Sequence, residues 1–158
     1  MKPISIMVFL VLLGSVGASG GDQNERGKLI GSWESENAPL DSLSANWTFS
    51  EQGESLRVTQ QEGTSKVANF ECDTDGVSCD VKVSGKRAMV SWWFNGPKLV
   101  ELETKGSEVV KRRFQIISPG DVAGDVMEME LIHVVPSEKT ETFRFKRLQR
   151  SASDSHSR

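Results

Sequence analysis

The segment ANFECDTDGVSCDVKV, residues 68–83, carries both cysteines of the chain, Cys72 and Cys79, at equal distances on either side of Asp75-Gly76. Asp-Gly signals a two-residue hairpin loop, because Gly, and Asp better than most residues, tolerate the positive φ of a type I′ turn. With residues 75 and 76 as the loop, Cys72 faces Cys79, Phe70 faces Val81 and Ala68 faces Val83. The apolar residues then share the face of the sulfurs. The segment therefore predicts a hairpin, its register, its core-facing side and a disulfide. Closing so short a loop stabilises a fold by about 2.5 kcal/mol on the chain-entropy estimate, so the bridge supports a core and does not replace one. A Cys-x-x-Cys redox motif is excluded by the six intervening residues.

Outward from this hairpin the hydrophobic pattern alternates with period two, the mark of strands with one buried face, and helical period is absent. Lys28-Glu34 reads as the first strand, with Leu29, Gly31 and Trp33 on one face. Ala45-Ser50 follows, with Ala45, Trp47 and Phe49 on one side. Ser35 to Ser44 is a polar connection with room for one short helical turn. Further strands are read at Ser55-Gln60, Lys66-Cys72, Ser78-Ser84 and Ala88-Phe94, with turns at Glu62-Gly63 and Gly85-Lys86. Asn95-Gly96-Pro97 is a strong turn before Lys98-Thr104. Around Lys105-Gly106, a three-residue loop with a Gly bulge sets Glu101 against Lys111 and Leu102 against Val110, which is electrostatically better than Glu103 against Glu108. Val109-Ile117, Val126-Val135 and Thr140-Leu148 complete about ten short strands joined mostly by tight turns. The fold class predicted is all-β, an antiparallel up-and-down barrel of about 8–10 strands.

The N-terminus sets an expectation about compartment. Lys2 precedes the apolar run Ile6 to Leu13, and Val16 and Ala18 suit the −3 and −1 positions of a signal-peptidase site. The run is shorter than the roughly 20 residues that span a bilayer. The organisation expected is a signal peptide over 1–18, a flexible segment over 19–27, a barrel domain over 28–148 and a disordered, Ser-rich tail over 149–158. The mature protein is expected to be secreted or periplasmic, where an even cysteine count suits an oxidising environment. The net charge of −3 becomes −4 without Lys2. That balance argues against general attraction to nucleic acid or to anionic lipid.

Gly31-x-Trp33 on the first strand, followed by a meander of strands ending in an Arg-containing one, resembles the calycin superfamily of lipocalins and fatty-acid-binding proteins. The chain is also similar to small exported bacterial lipocalin-like proteins of unassigned function. The resemblance implies that Trp33 closes the bottom of the barrel and that Arg147 packs across its ring, an arrangement favourable by roughly 1 kcal/mol or more when desolvated. The chain has no Tyr. It therefore lacks the Thr-Asp-Tyr motif of typical lipocalins and the Arg-x-Tyr of the fatty-acid-binding branch, in whose place stands Arg144-Phe145-Lys146. Neither a helix-turn-helix lid nor a C-terminal helix is expected.

A small barrel can be filled or hollow. Trp47, Phe70, Trp92, Met127 and Met129 are the candidate ligand-contacting residues if it is hollow, and core residues if it is not. Arg112, beside Val110, Phe114 and Ile116 by parity, would anchor an anionic head group if it faces inward. With Lys111 and Arg113 as neighbours, it would otherwise form a solvated basic strip. His133 shares parity with Met127, Met129 and Leu131 and is expected to be buried and hydrogen-bonded. Asp73-x-Asp75-Gly76 superficially matches the start of a calcium loop, but the turn already explains both carboxylates. Asn46-Trp47-Thr48 is a glycosylation sequon if the source is eukaryotic. No nucleophile-base-acid set can be assembled, and no metal or cofactor is called for. The sequence thus favours a non-enzymatic exported barrel that binds a small apolar or amphipathic ligand. The rival is a solid-core interaction module working through its outer surface around Trp93 and the strip from Lys111 to Arg113.

Overall fold

The computed structural model describes residues 20–36, 46–62, 65–118 and 124–148. The expected signal peptide over 1–18, most of the connection between the first two strands and the C-terminal tail lie outside the described residues. A helix, α1 (Gly20–Leu29), leads into β1 (Gly31–Ser35), β2 (Asn46–Gln52), β3 (Ser55–Glu62), β4 (Ser65–Asp73) and β5 (Asp75–Val83). Next come β6 (Lys86–Asn95), β7 (Lys98–Lys105), β8 (Glu108–Ser118), β9 (Val126–Val135) and β10 (Lys139–Arg147). Each strand pairs antiparallel with its sequence neighbours, and β1 pairs with β10, so the ten strands form a closed barrel. Closure leaves the sheet without an edge strand.

Period-two alternation sorts the side chains as expected. Trp47 and Phe49 of β2, Leu56 and Val58 of β3, Phe114 of β8, Met127 and Met129 of β9 and Phe145 of β10 are buried in one core cluster. Two local expectations fail. Lys28 and Leu29 end a helix and do not begin a strand. That helix lacks an apolar stripe because Leu29 is its single aliphatic residue; polar anchors hold it. Arg26 donates to the Glu54 carbonyl at 2.7 Å and to the Thr74 hydroxyl, tying α1 to the β2–β3 and β4–β5 turns at one end of the barrel.

The second failure is in β7–β8. Glu101 lies opposite Arg112, Leu102 opposite Lys111, and Lys105 opposite Glu108. The loop is Gly106-Ser107, one residue beyond the position assumed from sequence. This register sets Glu101 against a cation, Arg112, in place of Lys111.

The cysteine hairpin keeps its predicted register and changes its turn. Ala68 pairs with Val83, and Cys72 and Cys79 form a disulfide with their Cα atoms 6.2 Å apart. Gly76 has a φ of +83°, but Asp75 is not at positive φ, so the loop is not type I′. The Asp75 carboxylate instead accepts a hydrogen bond from the Val77 amide at 2.8 Å. Positive φ at two successive residues occurs at Ser84 (+50°) and Gly85 (+74°), between Val83 and Lys86, which pair with each other. The type I′ chemistry is therefore one turn further along the chain.

Candidate functional site

Where α1 meets the barrel, a set of contacts centres on Arg147. Its guanidinium carbon stands 4.2 Å from the centroid of the fully buried Trp33 ring. It donates to the carbonyls of Lys28 and Ile30, and its Nε meets the Asp125 carboxylate at 2.7 Å. Trp33 Nε1 in turn donates to the Leu29 carbonyl at 2.8 Å. The last turn of a helix leaves carbonyls without intrahelical donors, and these two side chains supply them. Gly31 sits at φ +135°, and a Cβ there would lie 2.6 Å from Arg147 Nη1. Gly31, Trp33 and Arg147 are thus brought together where α1 enters β1.

Inside, β2, β4, β6 and β8 send aromatic rings to a common centre. Trp47 meets Phe114 edge-on at 5.1 Å, Phe114 meets Phe49 at 5.4 Å and Trp92 at 5.8 Å, and Phe70 lies 6.3 Å from Trp92. Met127 and Met129 are fully buried beside them. Rings from opposite walls touch, so this level of the barrel is filled.

Next to the aromatic layer lies a buried charged layer that sequence reasoning did not assemble. Arg112 is 6 % exposed and faces inward, while Lys111 and Arg113 alternate away from it. Its Nη1 donates to Glu101 and, at 2.7 Å, to Glu103. Its guanidinium carbon is 5.8 Å from the Trp47 ring centroid. An anionic head group at Arg112 would therefore meet two carboxylates already in place. Burial pushes the Glu101 carboxyl up to about 7, with Arg112 opposing the rise and Glu103 adding to it. Three polar atoms in this interior are buried without a partner: Nε1 of Trp47, Nε1 of Trp92 and Oε2 of Glu101. The expectation of alternating faces could have found Glu101, Glu103 and Arg112, but only with the correct β7–β8 register.

Beyond the charged layer, toward the β7–β8 loop, a pocket of about 100 Å³ is walled by Val110 and Leu131 and by the polar groups of Glu103, Arg112 and His133. His133 is not the buried histidine expected from its parity: its side chain is 39 % exposed, with Nε2 3.8 Å from Glu141. A wider groove of about 440 Å³, bounded by Ser32, Thr48 and Arg147, has none of the charged layer in its walls. Among the described residues, the large exposed hydrophobic side chains are aliphatic or Met, with no aromatic, and Trp93 is only partly exposed. Arg113 forms an ion pair with Glu130, Nε standing 3.2 Å from the carboxylate, so the expected basic strip is partly neutralised. Asp73 and Asp75 are both engaged by the turn region, Asp73 by the Ser55 hydroxyl at 2.5 Å.

No family model matches the chain, and no curated protein matches it by sequence. Solved structures do match. The barrel superposes with a TM-score of 0.60 on a "secretary abundant heat soluble (SAHS) protein" from Ramazzottius varieornatus, at 13 % identity, covering 77 % of this chain and 96 % of that one. It superposes equally well, at 0.60 and 14 % identity, on a "REP1-NXSQ fatty acid transporter", covering 79 % of this chain and 99 % of that one. The fold is calycin-like. Neither description names a bacterial lipocalin, so the bacterial likeness noted from sequence gains nothing from them. No helix among the described residues is long and apolar enough to cross a membrane.

Proposed function

We propose that this protein is an exported, non-enzymatic barrel that binds a small apolar or amphipathic molecule in its interior, with the polar end of the guest at the Glu101–Arg112–Glu103 layer. One observation carries this reading: the indole N–H groups of Trp47 and Trp92 and an oxygen of Glu101 are buried without partners around one centre. Buried polar groups in folded proteins are nearly always bonded, and a cluster of exceptions calls for a missing partner. A guest or ordered solvent that accepts from the indoles and donates to the carboxylate would supply it. The pocket beside this layer reaches Glu103 and Arg112 and offers an apolar wall of Val110 and Leu131. One of the matched structures is described as a fatty acid transporter, which agrees with a binding barrel. The Cys72–Cys79 bridge suits the oxidising compartment that export implies. The absence of an exposed aromatic among the described residues weighs against the outer-surface module.

Native mass spectrometry of the protein purified from its own compartment, followed by solvent extraction, tests the reading. A bound small molecule is expected. Its persistent absence, with unchanged Trp fluorescence across a panel of lipids and aromatic compounds, would sink it.

A further inference from the structure

Each charged group in the wall of the pocket near the β7–β8 loop is answered by an opposite charge of this chain. Lys105 lies 3.7 Å from Glu108, Arg112 bonds Glu103 at 2.7 Å, and His133 Nε2 stands 3.8 Å from Glu141. Glu101 also bonds Arg112 but is not part of this wall. A guest with a net charge would enter without a counter-charge or would have to take one partner of an existing pair, and either is costly away from bulk solvent. The balance of the wall therefore disfavours anions and cations alike.

These pairs do not exhaust the hydrogen-bonding capacity of the wall. Both bonds from Arg112 to the glutamates leave through Nη1, so the N–H groups on Nε and Nη2 are not spent on them. Glu103 accepts its bond through Oε2, and a carboxylate has more acceptor sites than one bond uses. A donor and an acceptor thus stand side by side among the lining residues, with the apolar side chains of Val110 and Leu131 in the same wall.

We propose that the pocket takes an uncharged guest whose head donates and accepts at once, a primary carboxamide on a short apolar body. The amide N–H donates to Glu103, the amide carbonyl accepts from Arg112, and the body lies against Val110 and Leu131. The ion pairs of the wall stay intact. Such a head gains two charge-assisted hydrogen bonds without importing a charge. The proposal rests on the ligand-binding reading above and gives that ligand its head group. A volume of about 100 Å³ suits a body of a few carbon atoms.

The test uses four probes of similar length, pentanamide, pentanenitrile, pentanoate and pentylamine, titrated into the exported protein at pH 7.5 by calorimetry. Pentanamide is expected to bind at least about tenfold more tightly than pentanoate and pentylamine, which bring a net charge. Pentanenitrile, which accepts but cannot donate, is expected to bind about fivefold more weakly than pentanamide. In Glu103→Leu, with its fold checked by circular dichroism, pentanamide is expected to lose about tenfold and pentanenitrile less than about twofold. If Glu103→Leu does not fold, the wild-type ranking of the four probes decides alone. Any of the other three binding as tightly as pentanamide, or no binding of pentanamide, overturns the proposal. The broader reading falls separately: it survives if any of the four probes or any member of the lipid and aromatic panel binds, and fails only if none does.

Discussion

Arg147 lies over Trp33 at 4.2 Å and bonds the carbonyls of Lys28 and Ile30, so one side chain joins the last strand, the first strand and the end of α1. Because α1 has little apolar surface of its own, its docking depends on this contact and on Arg26. Arg147→Met should therefore lower stability by roughly 2–4 kcal/mol, through the lost charge-assisted hydrogen bonds to the Asp125 carboxylate and to the carbonyls of Lys28 and Ile30. Hydrogen exchange should show the α1 amides losing protection first. Arg147→Lys should recover only part of the loss, since an ammonium cannot reproduce the planar fork. Full recovery by Lys would mean that charge alone holds the helix.

Gly31 makes room for that guanidinium. A Cβ at φ +135° and 2.6 Å from Nη1 is strained in backbone and contact at once. Gly31→Ala should cost roughly 1–3 kcal/mol in urea unfolding. In an Arg147→Met background the contact part of the cost should shrink, and a double-mutant cycle reads that coupling. Additive effects would show that Gly31 is required by its φ alone.

The disulfide spans the least hydrogen-bonded junction of the barrel. Between β4 and β5 the described pairing is Ala68 with Val83, supplemented by the Ser84 amide bonding the Val67 carbonyl at 2.7 Å. Elsewhere adjacent strands pair over several residues. Replacing both cysteines by Ser should lower stability by about 2.5 kcal/mol on the chain-entropy estimate. Amide exchange should quicken along β4 and β5 before other strands. Uniform acceleration around the barrel would show that the bridge acts on global unfolding and not on this seam.

How far the sequence could be read follows from which forces leave a local trace. Alternation put Trp47, Phe49, Leu56, Val58, Met127 and Phe145 in the core because strand parity is a property of neighbouring residues. Trp33 and Arg147 met because a family resemblance supplied a contact between the two ends of the chain. Helix α1 left no periodic trace, since Arg26 and Arg147 hold it through bonds to distant backbone. The Glu101–Arg112–Glu103 layer was hidden by a one-residue error at the Gly106-Ser107 loop, which moved Arg112 off the row of Glu101. A register error of that size changes which charge meets which, and charges in a barrel interior decide more than apolar residues of similar shape.

Arg112 is the single cation answering two buried carboxylates. Arg112→Leu should therefore cost roughly 3–5 kcal/mol at pH 8, most of it from the uncompensated charges left behind. Replacing all three members, with Glu101→Leu and Glu103→Leu added, should recover most of that loss or exceed wild-type stability. Thermal unfolding of the single and triple variants at pH 8 distinguishes the cases. If the triple variant stays as unstable as Arg112→Leu, packing of the guanidinium, and not its charge, is what the barrel needs.

Glu101 gives the barrel a pH dependence whose sign is fixed. Burial raises its carboxyl from the ordinary value of 4.5 to about 7 against the pull of Arg112, so between those values the folded chain binds this proton more tightly than the unfolded one. Stability from this group is fully present below pH 4.5 and is lost as pH rises through 7, a change on the order of 3 kcal/mol. Other groups titrate over the same range, so the informative quantity is the difference between wild type and Glu101→Gln, which carries no titrating group at this position. Glu101→Gln should gain on wild type in urea unfolding as pH rises from 5 to 8, with most of the gain between pH 6 and 8. A difference that stays constant over that range would place the shared proton elsewhere in the layer.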